Sequence, residues 1–432
     1  MVMSKKIAIL GFGREGKSLF KFLKKSPEFR TAEIEILDQK LDKNYLKNLS
    51  RFEIIFRSPG IPYTSPQLYR ARCDGTKISS ATILFFKEIN DYKLKTGNYK
   101  PALIGVTGTK GKGTTSTLIY KILKNAGFKT VLAGNIGKPM LDILPQAKKA
   151  DFVVLELSSF QLQDLPYSPQ IAVVLDVFPD HLDQHKSLRE YYGSKANVGR
   201  FQKKSDAVFY FADNKLSTRI AAKSPAKKFG VRPPEDNLSK NSFMAAAVSR
   251  YLGAPEKTIQ KTIKNFPGLE HRLELIRTMK HSNILQSVRI SFYNDSAATN
   301  PEATAMAIKT LSHVTSPMSL VLIAGGKNKG LDYRPLTQAI KKSDLVKMVI
   351  LFGENKEKIR KVLVTNDMRQ VTKTVKDLKT AVKLAYKTAQ SIITNYQLPV
   401  TILFSPASAS FDMFKNYQDR GDQFKKAVRA LK

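Results

Sequence analysis

A lysine, a run of glycines and two threonines stand together at Gly108-Thr109-Lys110-Gly111-Lys112-Gly113-Thr114-Thr115. An apolar run, Pro101 to Val106, leads in, and a helix-patterned run, Ser116 to Ala126, leads out. A strand that opens into a glycine-rich turn and then a helix suits phosphate. Glycines let backbone N–H groups converge on oxyanions, and the helix N-terminus adds partial positive charge. Lys112 would reach the outer phosphates and Thr114 would offer a hydroxyl to Mg²⁺, so a nucleoside triphosphate is the expected substrate. The strict phosphate-loop pattern is not met: Val106 stands where it wants glycine, and Gly113 where it wants serine or threonine. The bland alternative is a glycine-rich strand–helix turn with a chance lysine.

Other reactive side chains fall at strand ends. Glu156 closes the apolar run Phe152 to Leu157, and His181 follows the run Ile171 to Val177. In an open α/β sheet, ligands sit beyond the carboxyl ends of the strands. A carboxylate and an imidazole there suit a divalent metal additional to the one at Thr114. A turn histidine with no ligand role is the alternative for His181. Lys195, in the helix-like run Ser187 to Arg200, reads by itself as a surface lysine. Ser158-Ser-Phe-Gln-Leu162 reads as a helix cap after a strand. Asn294 to Asn300 and Ser405 to Asp412 are polar turns after strands, the latter with small residues and candidate anion-binding amides. Polar loops at strand ends in two segments predict a cleft between domains.

These loops need sheets to carry them. At 432 residues the chain is too long for one ordinary core. Residues 1–98 open with a strand, then Gly11-Phe-Gly13-Arg-Glu-Gly16, a helical run and a strand, Ile34 to Leu37, ending at Asp38. That is a G-x-G-x-x-G turn with an acid at the second strand's end. Asp91 to Lys100 reads as a polar linker. Residues 99–269 alternate apolar strand runs with helical runs, as a helix-covered parallel sheet requires. Residues 270–432 repeat the alternation through Ser319 to Ile323, Lys347 to Phe352 and Val400 to Phe404. Hydrophobic residues make up 42% of the chain, enough to bury such cores. The basic start before Ile7 is followed by too short an apolar run for a signal peptide. No run is long enough to span a bilayer. A single cysteine, Cys73, excludes an internal disulfide and a multi-cysteine zinc site. A cytoplasmic setting follows. The formal charge of +36 suits anionic ligands. The lysines are spread, with no basic tail and no aromatic-interleaved basic segment, so nucleic acid is not an expected partner.

Taken together, these residues resemble the Mur ligases, the ATP-dependent amino-acid ligases of peptidoglycan precursor synthesis. Gly108 to Thr114 matches the family's G-T-N-G-K-x-T form. Gly134-Asn-Ile-Gly137, Asp180-His-Leu-Asp183, Lys195, Gly268 to Arg272, Asn294-Asp-Ser296, Gly325-Gly326 with Lys329, and Ser405 to Ser410 with Phe414-Lys-Asn416 follow in order. Leu155 to Leu162 is the most specific string and points to the D-glutamate-adding branch.

The resemblance implies an α/β fold of three domains. These are a Rossmann-like UDP-substrate domain (1–98), a P-loop-type ATPase domain on a mainly parallel sheet (99–269), and a Rossmann-like amino-acid domain (270–432). It implies ATP as a substrate, two Mg²⁺ sites, and D-glutamate added to UDP-N-acetylmuramoyl-L-alanine through an acyl phosphate by a monomer. Lys112, Glu156, His181 and Lys195 would be catalytic. Thr114, Glu156, His181 and Lys195, the last as a carbamate, would hold metal. Gly108, Thr109, Lys110, Gly111, Lys112, Gly113, Thr114, Asn241, His271, Arg272 and Asp295 would bind ATP. Gly11, Gly13, Gly16, Asp38, Ser58, Gly60, Asn135 and Ser158 would bind the UDP-linked substrate. Thr299, Lys329, Ser410 and Tyr417 would receive D-glutamate. Ala297 replaces a lysine of the family string N-D-S-K-A-T-N, with Lys327 a possible substitute. Lys112-Gly-Thr114 also resembles folylpolyglutamate synthases. That ligase, a basic nucleic-acid-binding NTPase and an inactive ligase homologue are the competing readings.

Overall fold

The computed structural model describes residues 5–179, 185–233, 240–281, 288–312, 318–364 and 372–431. The chain divides into two compact units, Met1–Phe266 and Pro267–Lys432. The first unit carries two sheets. Its N-terminal sheet is wholly parallel, in the order Glu33–Leu37, Lys6–Leu10, Ile54–Arg57, Lys77–Ser79. The basic N-terminus therefore runs into a first strand, as expected. Ile7, Ile9, Leu19, Leu23, Phe56 and Phe85 close the core beneath it.

The second sheet of this unit is also wholly parallel, in the order Lys227–Val231, Ala207–Phe211, Ile171–Val174, Ala102–Thr107, Phe152–Glu156, Thr130–Gly134. Its central strands are buried on both faces, which is why they read as unbroken apolar runs. Helix Lys112–Asn125 packs Leu118, Ile119, Ile122 and Leu123 against one face with Val106, Val154 and Val173.

The stretch expected as a linker is largely helix. Helix Ala81–Thr96 runs through half of it and ends at Gly97, whose φ of +64° suits a glycine stop. The apolar face Leu84, Phe85, Phe86 and Ile89 is buried in the core, and that burial carries the helix past its polar last turn. Lys93 and Lys95 there sit well against the helix's negative end. A buried ion pair ties the two sheets of the unit together. Arg57, at the end of its strand, donates from Nη2 to Asp164 at 2.8 Å and to the Phe160 carbonyl at 2.9 Å, and from Nη1 to the Ile61 carbonyl at 2.7 Å.

The second unit has one six-stranded sheet, in the order Glu274–His281, Val288–Asn294, Val400–Phe404, Ser319–Gly325, Val346–Phe352, Thr372–Thr374. All pairings are parallel except the edge strand Glu274–His281, which runs antiparallel to its neighbour. Among the described residues no helix is long and apolar enough to cross a membrane.

Candidate functional site

The phosphate loop forms where strand Ala102–Thr107 meets helix Lys112–Asn125. Two of its glycines are obligatory. Gly108 has φ +152°, and a Cβ there would stand 2.8 Å from Leu175 Cβ. Gly111 has φ +81°, and a Cβ there would stand 2.2 Å from Asn241 Oδ1. Thr115 Oγ1 donates to the same Asn241 oxygen at 3.3 Å. Asn241, on helix Lys240–Tyr251, thus braces the loop from behind. Thr109 is held by its neighbours: its N–H donates to the Asp176 carbonyl at 2.8 Å, and its Oγ1 lies 2.9 Å from the Tyr191 hydroxyl. Lys110 is exposed, Gly113 is buried in the first helical turn, and Thr114 is half-buried beside it.

Two lysines meet on one carbonyl. Lys112 Nζ donates to the Gly108 carbonyl at 3.0 Å and to that of Thr109 at 3.1 Å. Lys195, on helix Leu188–Arg200 and 2% exposed, donates to the same Gly108 carbonyl at 2.8 Å. So Lys195 is not the surface lysine that its type alone suggests.

Glu156 lies on the next strand, paired in register with Val106, and is 2% exposed. Its Oε1 accepts from Asn135 Nδ2 at 3.1 Å. Its Oε2 is buried and has no hydrogen-bond partner among the described residues. A buried carboxylate oxygen left so is costly. An oxygen-seeking cation such as Mg²⁺ fits it, and Thr114 Oγ1 is a second hard oxygen of the kind Mg²⁺ accepts. His181 lies outside the described residues. Among those residues no cluster of three or more metal-binding side chains stands together.

In the N-terminal sheet, Gly11 takes φ +90°, and a Cβ on Gly16 would stand 2.3 Å from the Gly11 carbonyl oxygen. Ser58 Oγ donates to that carbonyl at 2.7 Å. Gly13 caps helix Arg14–Lys25, and Gly60 is exposed nearby in sequence. Asp38 accepts from the backbone N–H groups of Phe12 at 2.6 Å and Lys40 at 2.9 Å. Those bonds, Phe12's first, hold its carboxyl below the usual range. One oxygen thus shapes the glycine turn and the other the turn that follows its own strand.

Ser158 caps the short helix Ser159–Leu162 in a reciprocal box with Gln161. Gln161 Nε2 then donates 2.8 Å to Glu15, inside the N-terminal glycine turn. Burial pushes the Glu15 carboxyl up. Sequence reading gave no role to Glu15, Arg57 or Asp164, and saw Gln161 only within the helix-cap string. The only available signal was that Glu15 lies within a G-x-G-x-x-G turn. It also missed Lys240, whose Nζ reaches Asp176 at 2.9 Å and Asp213 at 2.8 Å, a pairing no local pattern announces.

The second unit gathers its own group. His271 has φ +62°, and its Nδ1 lies 3.0 Å from Asn294 Nδ2. Arg272 is exposed. Asp295 is buried; its Oδ2 accepts from Ser405 Oγ at 2.7 Å and its Oδ1 from the Leu273 N–H at 3.3 Å. Ser410 is buried, and Tyr417 gives its carbonyl to Ser296 Oγ at 2.8 Å. Thr299 and Lys329 are exposed, with the Lys329 ammonium 5.6 Å from the Phe411 ring centre. Lys327, the suggested stand-in for the lysine absent at 297, is paired with Glu354.

Burial pushes the Asp295 carboxyl up to about 7, against the lowering effect of its bond from Ser405. The fold therefore favours the neutral acid. Its stabilising contribution is complete below the unfolded value of about 4 and declines as pH rises towards about 7. Denaturant midpoints measured across that window should fall with pH. Asp295→Asn should flatten the slope; an unchanged slope in that variant would disprove the assignment.

The Mur ligase middle domain matches residues 106–289, and the Mur ligase glutamate ligase domain matches residues 271–394. The chain belongs to the Mur ligase family. It is similar to UDP-N-acetylmuramoylalanine–D-glutamate ligase of Acetivibrio thermocellus, 33% identical over 100% of this chain and 97% of the relative. The enzyme of that name from Clostridium acetobutylicum is 32% identical over 100% and 98%. Among solved structures, UDP-N-acetylmuramate-alanine ligase of Thermotoga maritima covers 99% of this chain and 100% of its own at TM-score 0.58 and 18% identity. A folylpolyglutamate synthase of Mycobacterium tuberculosis covers 82% and 96% at TM-score 0.59 and 12% identity. At such identities the likeness concerns the fold alone.

Proposed function

We propose that this chain is an ATP-dependent, ADP-forming ligase that joins D-glutamate to UDP-N-acetylmuramoyl-L-alanine in peptidoglycan precursor synthesis. The single observation that carries the reading is local. Two ammonium groups share the Gly108 carbonyl at the mouth of a phosphate loop, one strand away from a buried carboxylate with an unpartnered oxygen. The loop amides and the ammonium groups suit oxyanions, and the buried carboxylate oxygen suits a cation. A triphosphate with Mg²⁺ supplies both. The relatives' names, held over the full chain, favour D-glutamate over the folate alternative.

In this reading the loop amides and Lys112 bind and orient the triphosphate. The L-alanyl carboxylate of the UDP-linked substrate attacks the γ-phosphorus, ADP leaves, and an acyl phosphate forms. The D-glutamate amine then displaces inorganic phosphate to give the amide. Lys112 offsets the charge gathered as two anions approach. Thr114 and Glu156, with His181 and Lys195, would hold Mg²⁺, which when bound supplies Lewis-acid stabilisation of the phosphoryl oxygens. Carbamoylation of Lys195 would turn its amine into an anionic oxygen donor. Asn135, fixed by Glu156, would orient the UDP-linked substrate, whose uridine end falls to the Gly11–Gly16 turn with Asp38, Ser58, Gly60 and Ser158. Asn241, His271, Arg272 and Asp295 would serve the nucleotide, and Thr299, Lys329, Ser410 and Tyr417 D-glutamate. We place the functional divisions at 98/99 and 269/270 and the enzyme in the cytoplasm as a monomer.

Phosphate release with UDP-N-acetylmuramoyl-L-alanine tests this, with D-glutamate, L-lysine or meso-diaminopimelate as acceptor and a dihydrofolate–L-glutamate arm beside it. D-Glutamate alone should support turnover. Turnover only in another arm would refute the assignment.

A further inference from the structure

Among the described residues of the second unit Arg420 is the most deeply buried cation, at 0% exposure, and the acid that acts on it, Asp412, does so from beyond ion-pair distance. No carboxylate lies within ion-pair distance of it among the described residues. Its guanidinium instead spreads over backbone and hydroxyl oxygens. Nε donates to Ser296 Oγ at 3.0 Å, Nη2 to the Ser296 carbonyl at 2.8 Å, and Nη1 to the Ser408 carbonyl at 2.9 Å. Burial pulls its pKa down to about 10, so it stays charged at neutral pH.

Those partners belong to separate loops. Ser296 follows strand Val288–Asn294, and Ser408 follows the adjacent parallel strand Val400–Phe404. A third loop closes in from the next strand: a Cβ on Gly326, just after Ser319–Gly325, would stand 3.1 Å from Arg420 Nη1. Ser296 Oγ also donates to the Tyr417 carbonyl, tying the helix start to the same point. Two neighbouring strand ends are thus held by one guanidinium and a third lies against it, at the end of a parallel sheet where ligands sit. A buried cation bonded only to neutral oxygens, with its nearest acid at longer range, is costly in isolation. It is well placed where a multiply charged anion binds over the loops it holds.

We propose that Arg420 is a positioning residue for the acidic amino-acid substrate. It fixes the 294–300 and 405–410 loops in register, with the 325–330 loop packed against it, and its charge beneath them favours the carboxylates of D-glutamate. This rests on the function proposed above. The guanidinium does not touch substrate; it acts through Ser296 and Ser408.

The test measures KM for each of the three substrates, with kcat and a melting curve, in the wild type, Arg420→Gln, Arg420→Lys and Ser296→Ala. Loss of a charge-assisted network predicts a KM for D-glutamate raised about tenfold or more in Arg420→Gln, with the other two KM values within about threefold. Arg420→Lys keeps charge without the fork and should recover part of that loss. Ser296→Ala keeps the arginine and loosens one link, so a smaller rise confined to D-glutamate is expected. If Arg420→Gln does not fold, the other two variants decide. A D-glutamate KM within twofold of wild type in the folded variants overturns the proposal. So does an equal rise in all three KM values, which a merely structural arginine would produce. A wild-type enzyme inactive with D-glutamate would refute the parent function instead, before any variant is compared.

Discussion

Lys112→Ala is expected to abolish ADP formation, lowering turnover by roughly a thousandfold or more while leaving the fold intact. Lys112 is the first residue of the loop helix, and its ammonium lies across the Gly108 and Thr109 carbonyls. At that place in a strand–glycine turn–helix loop a lysine faces the outer phosphates of a bound triphosphate. Charge accumulates on the transferring phosphoryl group in a site partly closed to water, so the loss of one fixed cation is felt strongly in the transition state. Lys195 does not compensate, because it is buried behind the loop on the Gly108 carbonyl. The variant loses only the Lys112 bonds to the Gly108 and Thr109 carbonyls, so a melting curve should show it folded. Wild-type ADP production by this variant would end the phosphate-loop account.

Glu156→Gln should cost turnover about a hundredfold to a thousandfold and raise the Mg²⁺ concentration needed for half-maximal rate. The substitution conserves shape but replaces an anionic oxygen with either a neutral oxygen or an NH₂ group. One side of the group must still face Asn135 Nδ2, now bonded to Oε1 at 3.1 Å. If the amide oxygen keeps that bond, an NH₂ group occupies the place of the unpartnered Oε2 and repels a cation. If the amide flips, two NH₂ groups oppose each other at Asn135. Either arrangement harms metal binding or the substrate-orienting asparagine. Because Glu156 is buried with half its hydrogen-bonding capacity unmet, the variant should be no less stable than wild type without nucleotide. An unchanged Mg²⁺ titration would remove Glu156 from the metal site.

Ala297 asks a separate question. The lysine expected there by resemblance is missing, and Lys327 is paired with Glu354. The cations the structure does place near this region are Arg420, under Ser296, and Lys329, against Phe411. Of these, Lys329 stands in a string the sequence singled out, whereas Arg420 does not.

Much of the site was legible from residue order. Gly108 and Gly111 were readable as phosphate-loop glycines because a strand-to-helix turn with convergent amides needs positive φ at fixed spacing, and both positions have it. Glu156 was readable because a carboxylate at the end of a doubly buried strand has few structural uses. The linker at Asp91 to Lys100 misled because polar composition describes only the exposed face. The helix there is sustained by Phe85, Phe86 and Ile89 on the other side.

Local order along the chain determined the alternation of strands and helices, the glycine turns and the capping box at Ser158, since these depend on neighbours within a few residues. Burial and distant partners had to wait for the folded chain. Lys195 became a buried partner of Gly108 across 87 residues, Gln161 met Glu15 across 146, and Arg420 gathered loops from Ser296 to Ser408. Charge at those places is set by desolvation and by groups brought from far along the chain. A linear string carries residue types but not the dielectric around them.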